Sequence, residues 1–573
     1  MAIREYIGAR YVPKFMGLWD NTQEYEALSV VDNGLGTSYI SKIPVPAGTP
    51  LTDTNYWIIS GSTNGAIIQL QNQMDLYLES FVTPEMFGAA GDGSTDDSAA
   101  VQDAVDSGCA VLFKNKYLTK HVAINKKVVL FGPGTIVLDT SGGTSYNKTA
   151  FYVNEECVMD GLTFEGIIYT PDTPGDTNRE TPIVAKDINS LRIENCFFTK
   201  CGCEYLYNET LPLWERRSAI LSATNVLNMI FTGNTIDSCR NELLRVIPDD
   251  TLDPSVITSI YFANNIIKNQ PGKSISLHAK VVDVRDNLIE KYTYAGSIFN
   301  MSGDNVNISG DEFVDVDVDS CYDCNEGLLF HADKLSISSV HASGTINKFI
   351  TTSSRLLDVS DNIVECSSFI FNDVGTRYDV IVPPTQANTT VKMRGSMRIK
   401  NNTVTINNNA QDSAIIRQGC GFSHASDDPV DDCGTWTQLD VSGNVFDCTI
   451  PFEVIANKTV IYILAMFRQV NVNSNIFRSM NGDNIKSVAY KFILYIYVGS
   501  LTPSRFIDYL QMIGNVLERG NSSITDTAPV WTNRSGKTIE TAYIYYNKMS
   551  GSCAISNGMT SSNYDTLNTD VPI

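Results

Sequence analysis

The chain has 573 residues, of which 43% are hydrophobic and 18% are charged, a composition that excludes intrinsic disorder and a collagen-like fibre. Acidic residues outnumber basic ones by 64 to 42 and give a net charge of −22. Nucleic-acid binding is therefore not expected, because it needs a basic surface. The 13 cysteines are scattered along the chain, so we expect mostly reduced thiols in a protein made in a cytosol.

The N-terminal sequence MAIREYIGARYVPKF has neither the apolar core nor the cleavage site of a signal peptide. The longest apolar run, near Val460–Phe467, is too short to span a bilayer. We therefore expect no membrane insertion.

Residues 1–62 are predicted to form a small separate β module. Its aromatic residues Trp19, Tyr39 and Trp57 either stack on sugar rings or form the core of a module that has few other large apolar residues.

Residues 63–82 are predicted to form a short helical neck. The apolar positions Ile67, Leu70, Met74, Tyr77 and Phe81 step by three and four residues, which is the spacing of a heptad seam. Two interpretations are open, namely the neck of a trimer and a single amphipathic packing helix.

Residues 83–110 combine a glycine-rich loop with a predicted helix. Gly88, Gly91 and Gly93 permit a tight turn, and Thr95 or Asp97 would cap the helix. One face of this helix carries small apolar residues, and it would close the open end of a repetitive fold. These residues are Ala100, Val101, Ala104 and Val105. The acidic residues of the loop are accordingly assigned to the turn and cap rather than to catalysis; they are Asp92, Asp96 and Asp97.

Residues 111–573 carry an internal repeat in which two alternating apolar positions precede a polar pair and a further apolar residue. Examples are LRIENCFF at 191–198, LDVSDNIV at 357–364 and LDVSGNVF at 439–446. One position of the repeat, called here the asparagine slot, is occupied by Asn234, Asn265, Asn287, Asp311, Asn362, Asn402, Asn444, Asn475, Asn515 and Asn547, with Val340 in a weaker copy.

The slot spacing decides the fold class. The smallest spacing, between Asn265 and Asn287, is too short for a propeller blade of about 40–50 residues. Alternation predicts strands, the polar pair suits a left-handed turn, and a buried Asn can bond to the backbone of the neighbouring coil. The sequence predicts an all-β, right-handed, single-stranded parallel β-helix of roughly a dozen coils.

An acidic segment, DEFVDVDVD at 311–319, contains candidate catalytic residues. We expect Val314, Val316 and Val318 to point inward, which leaves Asp315, Asp317 and Asp319 on the outer surface. Glycoside hydrolysis uses two carboxyl groups about 5–5.5 Å or about 6.5–9.5 Å apart. Three interpretations are open: acid–base catalysis, calcium binding, and a solvated strand edge.

An insertion at residues 204–217 contains candidate glycan-binding residues. Tyr205, Tyr207 and Trp214 would stack on sugars, and Glu215, Arg216 and Arg217 would be polar partners of anionic glycans or teichoic-acid phosphates. The alternative is a loop that packs on a neighbouring coil or subunit.

The segment FGAAGDGSTDDSAAVQDAV at 87–105 resembles the FGAxGDGxTDDTxAIQxAI pattern of pectate-lyase-like β-helix proteins, which include phage tail spikes. Residues 10–60 resemble small chitin- or cellulose-binding-type modules at the front of phage tail proteins. The best match overall is a tail spike or neck appendage of a short-tailed phage that infects a Gram-positive host.

The resemblance implies a virion protein made in the host cytoplasm. Its N-terminal module would attach to phage tail or neck proteins, and its β-helix would recognise, and depolymerise, a host cell-surface polysaccharide or teichoic acid. A homotrimer is expected, also because uncharged runs such as Phe492–Val498 would leave apolar patches on a monomer. No cofactor is expected, although calcium stays open. The alternatives are a purely adhesive appendage and a bacterial polysaccharide lyase, which the missing signal peptide disfavours.

Overall fold

A computed structural model describes most of the chain. The described residues are 14–34, 38–61, 81–138, 149–166, 181–202, 220–239, 241–248, 256–270, 272–324, 332–352, 354–373, 395–406, 414–419, 436–448, 459–463, 467–479, 492–496, 505–519, 528–529, 531–533, 538–550, 553–554 and 569–570. The chain divides into two compact units, Met1–Val82 and Thr83–Ile573. The predicted helical neck falls mostly on 62–80, outside the described residues.

The first unit contains a four-stranded sheet whose strands are Lys14–Leu18, Ser29–Asp32, Ser38–Ser41 and Trp57–Gly61. Its core consists of Tyr25, Val31, Val45 and Trp57, with Trp19 and Tyr39 packed against it. The rings of Tyr25 and Trp57 meet edge to face with centroids 5.4 Å apart. Trp57 is therefore a core residue and is not available to stack on a sugar.

The second unit begins with a loop and cap. Its elements are a 3-10 helix at Pro84–Phe87, a strand at Asp92–Asp96 and an α-helix at Ser98–Asp106. The strand Phe81–Val82 comes before them, at the end of the first unit. The predicted helix face is confirmed, since Ala100, Val101, Ala104 and Val105 are all buried. Asp97 is the N-cap residue, but its carboxylate accepts hydrogen bonds from the Ala90 and Gly91 amides instead of capping the helix. It thereby fixes the loop.

The rest of the unit is built of short strands. The first group is Ala110–Leu112, Lys116–Thr119, Val122–Ile124, Val128–Phe131, Thr135–Leu138, Phe151–Val153, Cys157–Asp160, Thr163–Glu165, Ile183–Glu194 and Phe197–Thr199. The second group is Leu221–Thr232, Thr235–Asp237, Asn241–Glu242, Leu244–Ile247, Ser259–Ala263, Ile266–Gln270, Gly272–Lys273, Ile275–His278, Val281–Arg285, Leu288–Ser309, Glu312–Cys324, Ala332–Ser338, His341–Thr352, Leu356–Ser360, Ile363–Cys366 and Ser368–Asp373. The third group is Ser396–Lys400, Thr403–Ile406, Ala414–Gly419, Trp436–Ser442, Val445–Cys448, Thr459–Ile463, Phe467–Asn473, Ile476–Ser479, Phe492–Ile496, Arg505–Ile513, Val516–Arg519, Ala528–Pro529, Trp531–Asn533, Thr538–Tyr545, Lys548–Ser550, Cys553–Ala554 and Thr569–Asp570.

These strands stack in parallel on three faces. Sheet A includes Ala110–Leu112, sheet B includes Asp92–Asp96 and Lys116–Thr119, and sheet C includes Val122–Ile124. Each strand pairs with the strand one coil further along. Leu288–Ser309 runs through sheets B, C and A without a break. The parallel β-helix predicted from the repeat is confirmed.

The interior is filled by one apolar side chain from every second position. Phenylalanine rings stack between coils, as Phe164 does on Phe198 and Phe349 on Phe369, with centroids 4.9 and 5.4 Å apart. Cys201, Cys239 and Cys366 are buried in this interior. The cysteines of the described residues are thiols rather than disulfides. Burial raises the pKa of Cys196 to about 12, so its thiol stays protonated.

The asparagine slot lies at the corner between sheets A and B, where its side chains form a ladder along the axis. Each slot oxygen accepts the backbone N–H of the preceding slot residue at 2.9–3.0 Å. Each Asn Nδ2 donates to the next slot oxygen, except where the ladder breaks, and to a main-chain carbonyl of the preceding coil. The predicted bond between a buried Asn and a neighbouring coil is confirmed.

The residue before each slot position is left-handed, with φ between 51° and 70°. These residues are Asn195, Gly233, Asn264, Asp286, Gly310, Ser339, Asp361, Asn401, Gly443, Ser474, Gly514 and Tyr546. Asn, Asp and Gly adopt this conformation at low cost, and the chain turns there from sheet A into sheet B. The polar pair of the repeat is thus one turn residue followed by one ladder residue.

The ladder is interrupted once. Asp311 Oδ1 accepts two bonds from Asn287, and Oδ2 accepts the hydroxyl of Tyr322 at 2.8 Å. The Asp311 side chain has no N–H group that could donate to the next coil, where the slot is occupied by Val340. The ladder starts again at Val340, whose backbone N–H donates to Asn362 Oδ1. Burial, together with the nearby Asp286, raises the pKa of Asp311 to about 6.

No helix in the described residues is long and apolar enough to cross a membrane.

Asn444→Ala should destabilise the β-helix strongly. The change leaves two buried donors of Asn402 and the Ile399 carbonyl without their partner, at a cost of about 2–5 kcal/mol. Denaturant unfolding would measure the loss. Asn307→Ala, at a half-buried outer position, is the control and should change stability by less than about 0.5 kcal/mol. Equal effects of the two changes would contradict a stabilising ladder.

Asp311→Asn should remove a pH dependence of folding. Because the folded-state pKa of about 6 exceeds the ordinary value of 3.8, the native protein should lose stability as pH rises from about 4 to about 6, on the order of 3 kcal/mol. The asparagine does not titrate and can donate to the Tyr322 oxygen. Unfolding free energies at pH 4 and pH 7 would test this, with exposed Asp304→Asn as the control. An unchanged pH slope in Asp311→Asn would show that Asp311 does not carry this dependence.

Removal of residues 1–82 should leave a folded β-helix in an unchanged association state. The second unit has its own cap helix and core, and the N-terminal module has a separate aromatic core. Circular dichroism, a cooperative unfolding transition and light scattering would check this outcome. An insoluble truncated chain would contradict it.

Candidate functional site

The acidic strand differs from the simple alternation expected. Val316 and Val318 are buried, but Val314 is half-buried, and Asp315 has a left-handed backbone with φ of 56°. Asp315 therefore lies in the corner that ends sheet B, as Lys291 does one coil earlier with φ of 51°. Asp317 and Asp319 follow that corner, so the three carboxylates do not form one straight row.

Asp317 and Asp319 lie on an extended segment between sheets B and C. Asp317 is exposed and in register with Thr293 and Thr345 of the neighbouring coils. Asp319 is half-buried, accepts a hydrogen bond from Asn347 Nδ2 at 3.4 Å, and lies 3.7 Å from Lys348 Nζ. Asp319 thus has one neutral and one cationic partner.

The outer side of sheet C carries polar residues stacked in register from coil to coil. One row runs through Ser222, Arg245, Ser276, Asn300, Asp323, Thr351, Phe371 and Arg417. A second row, in which the serines are buried, contains Ser297, Ser320, Lys348 and Ser368. Ser297 bonds to Ser320 at 2.6 Å and donates to Asp323 Oδ2 at 3.4 Å. The row of serines and Lys348 therefore lies between Asp319 and Asp323.

A nearly enclosed polar cluster lies at one end of these rows. Glu242 accepts bonds from Arg245 Nη1 at 3.1 Å and from Ser276 Oγ at 2.6 Å. His278 bonds to Ser302 at 2.8 Å, and burial, with the charge of Arg245, lowers the pKa of His278 to about 3. The cluster thus holds a carboxylate, a guanidinium and a neutral imidazole. The sequence alone did not predict this cluster, because its members come from separate coils. The one available signal was a histidine within a strand pattern, in a chain that has five histidines.

Further along the rows, one aromatic ring contacts two cations. The Arg417 guanidinium carbon lies 4.7 Å from the centroid of the Phe371 ring, and Lys348 Nζ lies 5.6 Å from it. These three residues are called the cation–ring patch. The Asp319–Lys348 contact connects the patch to the acidic strand.

The other predicted site lies outside the described residues; it comprises the candidate glycan-binding residues Tyr205, Tyr207, Trp214, Glu215, Arg216 and Arg217.

A surface charge ladder lies on sheet A. Asp358, Arg398 and Asp440 stack there in register, with 3.4 Å between Arg398 and Asp358. Among the residues that the structure describes, no group of three or more His, Cys, Asp or Glu side chains forms a metal-binding cluster.

The acidic residues of the opening loop are bound within the loop. Asp92 accepts bonds from the Ser94 and Thr95 amides, which lower its pKa, and Asp96 accepts bonds from Ser98 and contacts Lys120 at 3.1 Å. This agrees with a structural role.

No protein-family model matches the chain. Among curated proteins, it is similar to a Klebsiella phage KN3-1 protein described as depolymerase 1, specific for capsule KN3. The two are 26% identical over a 212-position alignment that covers 29% of this chain and 26% of the relative. The chain therefore spans about a quarter of the length of the curated relative that it matches.

Solved structures similar to this chain include phage and bacterial surface proteins. The tailspike of Pseudomonas phage LKA1 is 11% identical, with a TM-score of 0.35 and coverage of 76% of this chain and 82% of that chain. A tailspike mutant of E. coli bacteriophage HK620 is 13% identical, with a TM-score of 0.29 and coverage of 84% and 72%. The Streptococcus pneumoniae adhesin PfbA is 13% identical, with a TM-score of 0.36 and coverage of 82% and 94%. A phage depolymerase and phage tailspikes are thus among the proteins that this chain is similar to, in agreement with the tail-spike resemblance of its sequence.

Proposed function

We propose that this chain is a phage tail spike that binds a host cell-surface glycan and depolymerises it. It acts as part of the virion, with its N-terminal module attached to tail or neck proteins and its β-helices associated as a homotrimer. The Gram-positive host expected from the sequence stays a prediction.

The observation that carries this proposal is the arrangement of acidic, basic and aromatic side chains on one outer surface. Asp317, Asp319 and Asp323 belong to a single strand, Glu312–Cys324, which is bonded to strands on both neighbouring coils. Rigid scaffolds of this kind hold catalytic groups in fixed positions. Glycan hydrolysis needs a proton donor and a second carboxylate on opposite sides of the bond that is cut, and this strand presents several carboxylates along an extended surface.

The curated relative supports the depolymerase part of the proposal. It is named as a depolymerase specific for the KN3 capsule, so a bacterial capsule is a reasonable first substrate to try. Incubation of the purified chain with a panel of capsular polysaccharides, including KN3, should give shorter fragments on size-exclusion chromatography. Binding without fragments would support the adhesive alternative, and neither binding nor fragments across the panel would count against a glycan receptor.

Among the candidate acids, we propose that Asp315, Asp317 and Asp319 take part in acid–base chemistry, with Asp317 as the first residue to test. Asp317→Asn keeps the size of the side chain but removes the proton carrier, so turnover of a cleaved capsule should fall by about 10²–10⁴-fold. Glycan binding and thermal stability should stay unchanged. Fragment release over time, measured as new reducing ends, would give the rate.

Asp304→Asn is the matched control, since Asp304 is an exposed acid outside the acidic strand. It should retain full turnover. Calcium binding at the strand would instead show as a lower melting temperature of Asp317→Asn together with lost sensitivity to chelator. Full activity of Asp317→Asn would place the acid–base pair elsewhere, with Glu242 and Asp323 of sheet C as the next residues to change.

A further inference from the structure

The cation–ring patch is a local excess of positive charge on a strongly acidic chain. The net charge of the chain is −22, yet Lys348 and Arg417 are both held against Phe371. Asp319 contacts the patch, at 3.7 Å from Lys348. Arg417 stands in register with Phe371, and Lys348 with Ser320 and Ser368. The strand ladder therefore holds the two cations in the coils on either side of the coil that carries Phe371.

Arg417 retains binding capacity. Arg417 is half-buried, and its Nε makes no hydrogen bond to a described residue although that atom is screened from solvent. The guanidinium rests on the face of an aromatic ring, which orients its plane without using its N–H donors. An arginine held in this way is suited to donate two parallel hydrogen bonds to a carboxylate or phosphate.

We propose that the cation–ring patch of Lys348, Phe371 and Arg417 is a subsite for an anionic sugar unit of the glycan. The inference rests on the proposed function and specifies its substrate class, an acidic polysaccharide whose carboxylate or phosphate groups meet Arg417 and Lys348. Phe371 is a positioning residue that holds both cations. Because Asp319 lies beside Lys348, a sugar bound here places its neighbouring glycosidic bond next to the acidic strand.

The experiment compares anionic and neutral polymers on the full chain. Polygalacturonate and dextran sulfate are the anionic probes, and unsubstituted dextran is the neutral one. The wild-type chain should bind the anionic polymers, with an affinity that falls as salt rises, and should bind dextran at least tenfold more weakly. Lys348→Gln and Arg417→Gln should each weaken anionic binding about tenfold, since each removes a charge-assisted bond.

Arg398→Gln is the matched control, because Arg398 is an exposed cation that also lies within 3.4 Å of an aspartate but belongs to sheet A. It should leave binding unchanged. Phe371→Leu keeps an apolar side chain but removes the ring, and it should weaken anionic binding while the melting temperature stays within a few degrees. A patch with a purely structural role would show the opposite pattern, a lower melting temperature with unchanged binding.

The outcomes separate this inference from the proposed function. If the chain binds or cleaves only neutral glycans, or if Lys348→Gln and Arg417→Gln bind anionic polymers like Arg398→Gln, the inference fails and the tail-spike function stands. If anionic polymers bind at the patch but no capsule is ever cleaved, the subsite stands and the depolymerase activity fails.

Discussion

The asparagine ladder is the interaction on which the rest of the structure depends. A buried amide that bonds to the coils on both sides fixes how each coil is placed over the one before it. A displacement of one residue at the corner would leave several buried donors unpaired, and it would also turn outward side chains into the core. The exact register of the outer rows, and with it every cross-coil contact of the candidate site, follows from this constraint.

The fold could be predicted from sequence because its information is local and repeated. Asn402 and Asn444 carry the same pattern around them although 40 or so residues separate them, and the turn residue always comes directly before the slot. The capping helix was predictable for a similar reason, since its buried face is set by four neighbouring small residues.

The candidate site was only partly predictable, because it is assembled across coils. Asp317 and Asp319 were recognised from alternation within one strand, but the left-handed corner at Asp315 was not, since Val314 and Asp315 continue the same pattern of letters. The contacts among Lys348, Phe371 and Arg417 depend on strand pairs whose sequence separation changes from coil to coil with the length of the insertions. Charge and aromatic character can be read from single residues, whereas their juxtaposition requires the register of the whole β-helix.

The break between Asp311 and Val340 divides the asparagine ladder into two segments whose side chains are not hydrogen-bonded to each other. A solenoid transmits stability between neighbours only, so a coil boundary without the amide link is a place where cooperativity is reduced. Main-chain pairing still crosses this boundary, because Glu312–Cys324 pairs with His341–Thr352 and the His341 amide donates to the Asp311 carbonyl. The two coils are therefore joined there by the backbone alone, without the side-chain link that reinforces the other corners of the ladder.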